Sequence, residues 1–489
     1  MAHVLPGIHA RWLRPLVVAT ALAFGVTLAA QSRWLCDDIF ITFRYAGNIV
    51  AGHGVVYNTG ERVEGYTHFL WLALIAAWNW AGGAPETIVV VLGLLAYAGV
   101  IIACGLRSTA VPLAALVLAL HPDFRIWATS GMETMAFTWM VLLAVFALVD
   151  RRYLAAGIAL SAAVLLRPDA LVFCSVAVVW AALERDRRRA FMMLPFAVYA
   201  LYSAWRLWYF GELLPNPYYA KSAGVSNWSQ GAYYIASYFK IYWSSAVALI
   251  AVPFIRRREA GIPLTFAIAY LVLFVARVGG DFMFARFMVP VVPLLCVAAE
   301  AVLKGRQSIA VALATVLVLL GHDARRDGDA SGTGEQHAHL RSRGIMDEHW
   351  YYTRVIEGMN AIERQRQLGL TLKHYFEHEH VSVLLRGQAA LGYYAEFSEA
   401  IESSGLTDRF IARMPLGLRG RPGHEKGATL DYLRQRHVDF VFQRTPYDST
   451  SREMVFQVGE GVVWAEIVTE TGLEDRLMSR FPEEIWVPD

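Results

Sequence analysis

Apolar residues along this chain gather into long runs separated by short polar breaks, a pattern suited to lipid and unlike the alternation of a water-soluble fold. A spanning helix needs about 20 predominantly apolar residues. By that measure the runs at 15–31, 87–105, 108–121, 132–149, 153–166, 170–183, 190–210, 232–255, 262–276, 287–303 and 307–321 predict a polytopic α-helical membrane protein with about eleven spans. The apolar piece 69–80 is shorter and ends in Trp78-Asn79-Trp80, so it is read as an interfacial helix that does not cross. Beyond residue 321 the pattern changes. Residues 322–344 read as a polar, glycine-containing linker, and 345–489 as a small α+β domain with helical periodicity near 351–379 and strand-like runs at 381–385, 438–443 and 462–467.

Charge adds an orientation. Basic clusters at Arg11/Arg14, Arg107, Arg151/Arg152, 185–189, 256–258 and Lys304/Arg306 fall in alternate loops, and short basic loops stay in the cytoplasm. The remaining loops, 32–86, 122–131, 167–169, 211–231 and 277–286, then share the outer side with the C-terminal domain. Arg11 and Arg14 ahead of the first run fit an uncleaved signal anchor.

Composition agrees: of 489 residues 56% are hydrophobic and 18% charged, and a net charge of +2 argues for no nucleic-acid or acidic partner. Four cysteines, three of them inside apolar runs, exclude a disulfide framework and argue against redox chemistry. No phosphate-binding loop, dinucleotide fingerprint or Ser-His-Asp pattern occurs.

The polar residues near the membrane gather on the predicted outer side, where ionisable groups beside hydrocarbon mark a functional cavity. Most concentrated is Trp34 to Trp71, directly after the first run. Its Asp37-Asp38 pair suits a general base or a cation ligand, and equally the N-cap of a helix starting near Asp38. Glu64, Tyr66 and His68 add a carboxylate, a hydroxyl and an imidazole. Arg277-Val278-Gly279-Gly280-Asp281 through Arg286 combines glycines that let a ligand approach, arginines suited to phosphate and an aspartate that can orient an arginine or a sugar hydroxyl; the same arginines would also serve as interfacial snorkels. Pro215 to Lys221 sets a cation beside Tyr218 and Tyr219, a phosphate or sugar site or an aromatic belt. His374, His378 and His380 lack a third metal ligand and read as an exposed polar helix, so no metal site is expected.

The run DDIFITFRYAGNIVAGHGVVYNTGERVEGYTHFLW, with GGDFMFARF and GRPGHEK downstream, resembles the GT-C glycosyltransferases that use polyprenyl-phosphate sugars, most closely the terminal β-(1→2)-arabinofuranosyltransferases of mycobacterial cell-wall arabinan. DEHWYYT and GLTDRFIAR in the C-terminal part extend the resemblance. It implies a multi-span core in a bacterial inner membrane, an extracytoplasmic active site, a donor such as decaprenyl-phosphoryl-arabinofuranose, a glycan acceptor and inversion at the sugar carbon. The catalytic base is then Asp37 or Asp38, the donor phosphate falls to Arg44, Lys221, Arg277 and Arg286, and the sugar or acceptor to Glu64, Tyr66, His68, Asp281 and Tyr218. It names no certain cofactor and leaves a divalent cation open. The C-terminal domain is small beside that of the mycobacterial enzymes, which leaves lipid or protein acceptors and another sugar open. The competing class, a lipid-linked sugar flippase or transporter, needs polar residues spread through the spans or paired broken helices near the midplane, whereas here they gather at one face.

Overall fold

The computed structural model describes residues 9–108, 112–184, 186–242, 251–303, 335–417, 419–442, 452–459 and 461–488. Four of its helical stretches are long and apolar enough to cross a membrane, Arg14–Gln31, Pro85–Arg107, Arg187–Phe210 and Arg258–Ala276. Shorter apolar helices, Thr134–Val149, Tyr153–Leu166, Ala170–Leu183 and Val291–Leu303, pack beside them. Pro85–Arg107 shows why such a run is helical: proline opens it, Glu86 lies in its first turn and Arg107 in its last, each charge facing the favourable end of the helix dipole.

Two groups of contacts define opposite ends of the bundle. At one end Arg14 donates to the Ser108 carbonyl at 2.9 Å, Arg107 pairs with Asp150 at 2.7 Å, and Arg151 and Arg258 meet Glu184. At the other, the Trp34 indole donates to the Ile126 carbonyl at 2.9 Å and the Tyr394 hydroxyl donates to Glu86 at 3.0 Å. Residues 32–84 thus leave and re-enter the bundle at the same end, and the 12-residue helix Phe69–Trp80 is a half-buried hairpin arm against Ile39–Val50.

The run at 108–121 departs from expectation. Its described part is an eight-residue helix, Leu113–Leu120, too short to span, followed by Pro122–Ala128. Pro122 has no N–H and disfavours helix in the residue before it, so the chain turns at His121, whose ring accepts from the Phe124 N–H. The run at 232–255 is helical over Trp228–Ile241, its residues 243–250 lie outside the described residues, and so do 307–321.

Residues 322–334 also lie outside them, and Glu335–Ser342 is a helix where linker is expected. The C-terminal part carries a six-stranded mixed sheet with strands β1 (Ser382–Leu385), β2 (Glu399–Glu402), β3 (Phe440–Phe442), β4 (Glu453–Val458), β5 (Gly461–Ile467) and β6 (Ile485–Trp486), ordered β2-β1-β3-β5-β4-β6. β1 pairs in parallel with β2 and β3; the other pairings are antiparallel.

One buried apolar cluster runs from the helix bundle into this sheet. The helix Ile39–Val50 lies at the junction: Phe40 packs on Tyr393 and Tyr394 at 5.7 and 5.6 Å, while Trp34 touches Trp127 of the bundle and His349 beyond it at 5.4 and 5.7 Å. The stretch around the paired aspartates is therefore clamped from both sides.

Candidate active site

Three of the apolar helices present charge where they reach this junction. Glu133 precedes Thr134–Val149 and Asp169 precedes Ala170–Leu183, both at helix N-termini, while Arg167 follows the C-terminus of Tyr153–Leu166. Each sign complements its dipole. Because the helices run antiparallel, the three side chains meet. Arg167 pairs with Asp169 at 3.0 Å and Glu133 at 3.2 Å, Asp169 accepts from the Tyr270 hydroxyl at 2.6 Å, and Glu133 faces the His68 Nδ1 at 3.6 Å. His68 Nε2 shares a 2.7 Å hydrogen bond with the Thr42 hydroxyl, and burial lowers its pKa.

The loop before Val291–Leu303 contributes a second clamp. Gly280, at φ +72°, sits where an added Cβ would lie 2.5 Å from the Tyr234 side chain, so only glycine lets this loop close. Asp281 then holds Arg286 through both oxygens, at 2.5 and 3.0 Å. Burial opposes the guanidinium's charge, but Asp281 more than offsets it and the net pKa rises. Arg286 is fixed and stays charged.

These groups line a cavity of ≈ 290 Å³ together with Asp38, Tyr66, Tyr218, Lys221 and Phe282, near the lower end of small-molecule sites. A larger groove of ≈ 1050 Å³ opens between Trp208, Phe410 and Arg436, yet its cations are engaged: Arg413 with Glu212 at 2.8 Å and Arg436 with Glu61 at 2.5 Å. The smaller cavity differs in leaving opposite charges uncommitted. Among the described residues neither the Asp38 carboxylate nor the Lys221 ammonium makes a hydrogen bond or ion pair; Lys221 lies 5.9 Å from the Phe282 ring. Burial, and then Arg286, depress the Lys221 pKa, a cation that an anionic ligand would stabilise.

The structure separates the two aspartates. Asp37, 2% exposed, accepts from the Ala389 and Ala390 N–H groups at 2.8 and 3.0 Å and so caps the helix Ala389–Ala395. Burial pushes its carboxyl up to about 6, the two N–H donors working against that rise. Asp38 precedes Ile39–Val50 without a side-chain capping bond. The cap expected of one aspartate exists, but on a helix far along the chain.

The structure places three residues assigned on the sequence elsewhere than at the free charges of the cavity. Arg44 is consumed by the carbonyls of Tyr57, Gly392 and Phe397 and by the Asn58 side chain, at 2.9, 3.2, 2.8 and 3.2 Å, which leaves no phosphate fork. Arg277 is exposed and lies off the cavity. Glu64 is buried against Arg206 and Tyr202, both at 2.5 Å, and ties the first loop to the helix Leu194–Phe210. Asp281 lines the cavity but spends its oxygens on Arg286. Tyr66, His68 and Tyr218 line it, as do Lys221 and Arg286.

Thr42, Glu133, Arg167 and Asp169 join the site without having been assigned to it; the signal available is that the last three stand at the ends of apolar runs on one side. His424, from the GRPGHEK segment, packs edge-on against Phe282 at 4.5 Å, and burial followed by Arg421 lowers its pKa to about 4. Among the described residues no group of three or more His, Cys, Asp or Glu side chains converges to hold a metal ion.

No family model matches the chain. Two characterised relatives do: a terminal β-(1→2)-arabinofuranosyltransferase of Mycobacterium tuberculosis, 28% identical over 59% of this chain and 54% of its own length, and one of Corynebacterium glutamicum, 27% identical over 56% and 48%. The chain thus spans about half the length of the curated relatives it matches. Among solved structures, ArnT from Cupriavidus metallidurans bound to undecaprenyl phosphate matches with TM-score 0.57 at 15% identity, covering 95% of this chain and 99% of that one. Its apo form matches at TM-score 0.52, 14% identity and coverages of 92% and 97%. The chain therefore has the fold of ArnT, and over more than half its length it is similar in sequence to the terminal β-(1→2)-arabinofuranosyltransferases.

Proposed function

We propose that this protein is an integral membrane glycosyltransferase that moves a sugar from a polyprenyl-phosphate donor to a hydroxyl of a glycan acceptor. Arabinofuranose is the sugar named in both relatives, and undecaprenyl phosphate is the lipid bound in the ArnT structure. The observation that carries the reading is the Asp38 carboxylate, without a partner among the described residues, lining the same cavity as the equally unpartnered Lys221 ammonium and the fixed Arg286 guanidinium. A base and an anion clamp in one cavity are what transfer from a phosphate leaving group requires.

In this reading the sugar phosphate lies in the cavity with its phosphate on Lys221 and Arg286. Asp38 takes the proton of the acceptor hydroxyl as its oxygen attacks the anomeric carbon from the face opposite the phosphate, which inverts that carbon. The bond to phosphate breaks with its electron pair, and the lipid phosphate gains a negative charge. The two cations bind that charge more strongly in the transition state than in the donor, the condition for acceleration. Arg14, Arg107, Arg151 and Arg258 converge at the far end of the bundle, which by the positive-inside rule supports a cytoplasmic far end and an extracytoplasmic cavity.

The test is to incubate purified protein in lipid nanodiscs with labelled polyprenyl-phosphoryl-arabinofuranose and an arabinofuranoside acceptor. Label in the glycan with release of polyprenyl phosphate is expected. Passage of the intact donor across a vesicle membrane without transfer would replace the enzyme with a flippase.

A further inference from the structure

A second, smaller cavity of ≈ 30 Å³ also borders Asp38. It shares Asp38, Lys221, Phe282 and Gly423 with the larger one, so Asp38 stands in the wall common to both. Its remaining polar lining, Asp37, Tyr57, Gln388, Glu402 and His424, comes mostly from the C-terminal part. The volume decides what can enter: about 10–15 Å³ of such space accommodates a water, so this pocket takes one hydroxyl or hydroxymethyl group and no sugar ring.

Its chemistry selects the same group. The Gln388 amide oxygen is buried and has no hydrogen-bond partner among the described residues, an arrangement with a desolvation cost unless a ligand donates to it. His424 Nδ1 lies 3.3 Å from the Pro422 carbonyl, a contact that requires Nδ1 to carry the proton and leaves Nε2 as an acceptor in the neutral ring. Asp37 and Glu402 are occupied by backbone N–H groups, Asp37 by Ala389 and Ala390, Glu402 by Ser404 and Leu406. Two neutral acceptors beside the base favour a hydroxyl donor over an anion or an apolar group.

We infer that this pocket reads the acceptor: a hydroxyl adjacent to the attacking one enters it and donates to Gln388, with His424 as its second wall, so that acceptor choice is set by the C-terminal part and not by the helix bundle. The inference rests on the transferase reading. The attacking hydroxyl itself stays on Asp38, which receives its proton as the new glycosidic bond forms and the bond to phosphate breaks. Gln388 is then a specificity-determining residue. A site built to hydrogen-bond a hydroxyl rejects analogues that lack it.

The test uses the full chain in nanodiscs, polyprenyl-phosphoryl-arabinofuranose, and a set of arabinofuranoside acceptors each lacking one hydroxyl. Wild type is expected to use one deoxy acceptor at least about tenfold less well in kcat/KM than the parent, and Gln388→Leu to bring that ratio within about twofold of one. A ratio between two acceptors on one preparation is insensitive to partial unfolding, and His424→Ala supplies a second variant expected to shrink the same ratio. Gln388→Leu retaining the wild-type ratio for every deoxy acceptor would overturn the inference. Absence of transfer by wild type to any acceptor would instead overturn the reading on which it rests.

Discussion

The two walls of the cavity hold similar side chains and use them in opposite ways. Where the apolar helices end, Thr42, His68, Glu133, Arg167, Asp169 and Tyr270 form one chain of hydrogen bonds and ion pairs, and each charge has its partner. Across from it, Asp38 and Lys221 have none among the described residues. A buried charge without its partner is costly, so the first wall is a scaffold whose polar groups stabilise one another. In the proposed reading the second holds groups whose partner is the ligand. Charge near a membrane marks a site, and pairing tells which of its charges are free to act.

The contrast can be broken from the scaffold side first. Arg167→Met leaves Glu133 and Asp169 buried without their cation, and removing one member of such a set costs about 3–5 kcal/mol. Thermal unfolding in detergent is expected to show the largest loss of the variants named here; an unchanged transition would mean that the wall is solvated and not a closed network.

Asp37 comes next, as a titration. Its carboxyl, held at about 6 by burial against an ordinary value of 3.8, keeps its proton in the folded protein after the unfolded chain has released it. Its contribution to stability is therefore greatest below about pH 4, falls as pH rises towards 6, and is level above that, the difference amounting to about 3 kcal/mol. Asp37→Asn preserves an oxygen for the cap and cannot ionise, so its stability profile between pH 4 and 6 should lie flatter than that of wild type. Parallel profiles would assign the drop to other groups.

On the free wall, Lys221→Met removes the charge-assisted contact that the proposed reading gives the donor phosphate, worth about 1.5–3 kcal/mol. The donor KM or kcat/KM should worsen by roughly 10- to 100-fold with unfolding unchanged, and a variant that destabilises without altering donor use would move Lys221 to the scaffold. Arg277→Ala marks the small end of the scale. Exposed and away from the cavity, it should leave kcat/KM within about twofold of wild type, as surface changes do; a large loss would return Arg277 to the phosphate site.

Much of this arrangement is legible in the chain. The apolar runs give most of the helices, the Gly-Gly-Asp segment with Arg286 gives the second clamp, and the runs at 381–385, 438–443 and 462–467 contain β1, β3 and β5. Three strands escape: β2, with a glutamate at each end, β4, whose apolar residues 454–456 are flanked by Glu453 and Gln457, and β6, only two residues long. What sequence cannot separate is a charge that binds from a charge that braces, because bracing partners are remote. The cap on Asp37 comes from Ala389 and Ala390, two of the clamps on Arg44 from Gly392 and Phe397, and the cation on Glu64 from Arg206. No local spacing encodes those pairs. The turn at His121 is different: Pro122 announces it, and the length of the surrounding apolar run conceals it.

The central claim is that of two adjacent aspartates one braces and the other reacts. Asp37→Asn and Asp38→Asn, each assayed for transfer from labelled polyprenyl-phosphoryl-arabinofuranose beside its thermal unfolding, test it directly. Asp38→Asn should lose about 10²–10⁴ in rate while unfolding as wild type does, and Asp37→Asn should retain transfer within about tenfold with its main change in stability. Full transfer by Asp38→Asn, or loss of transfer confined to a stably folded Asp37→Asn, would contradict the account.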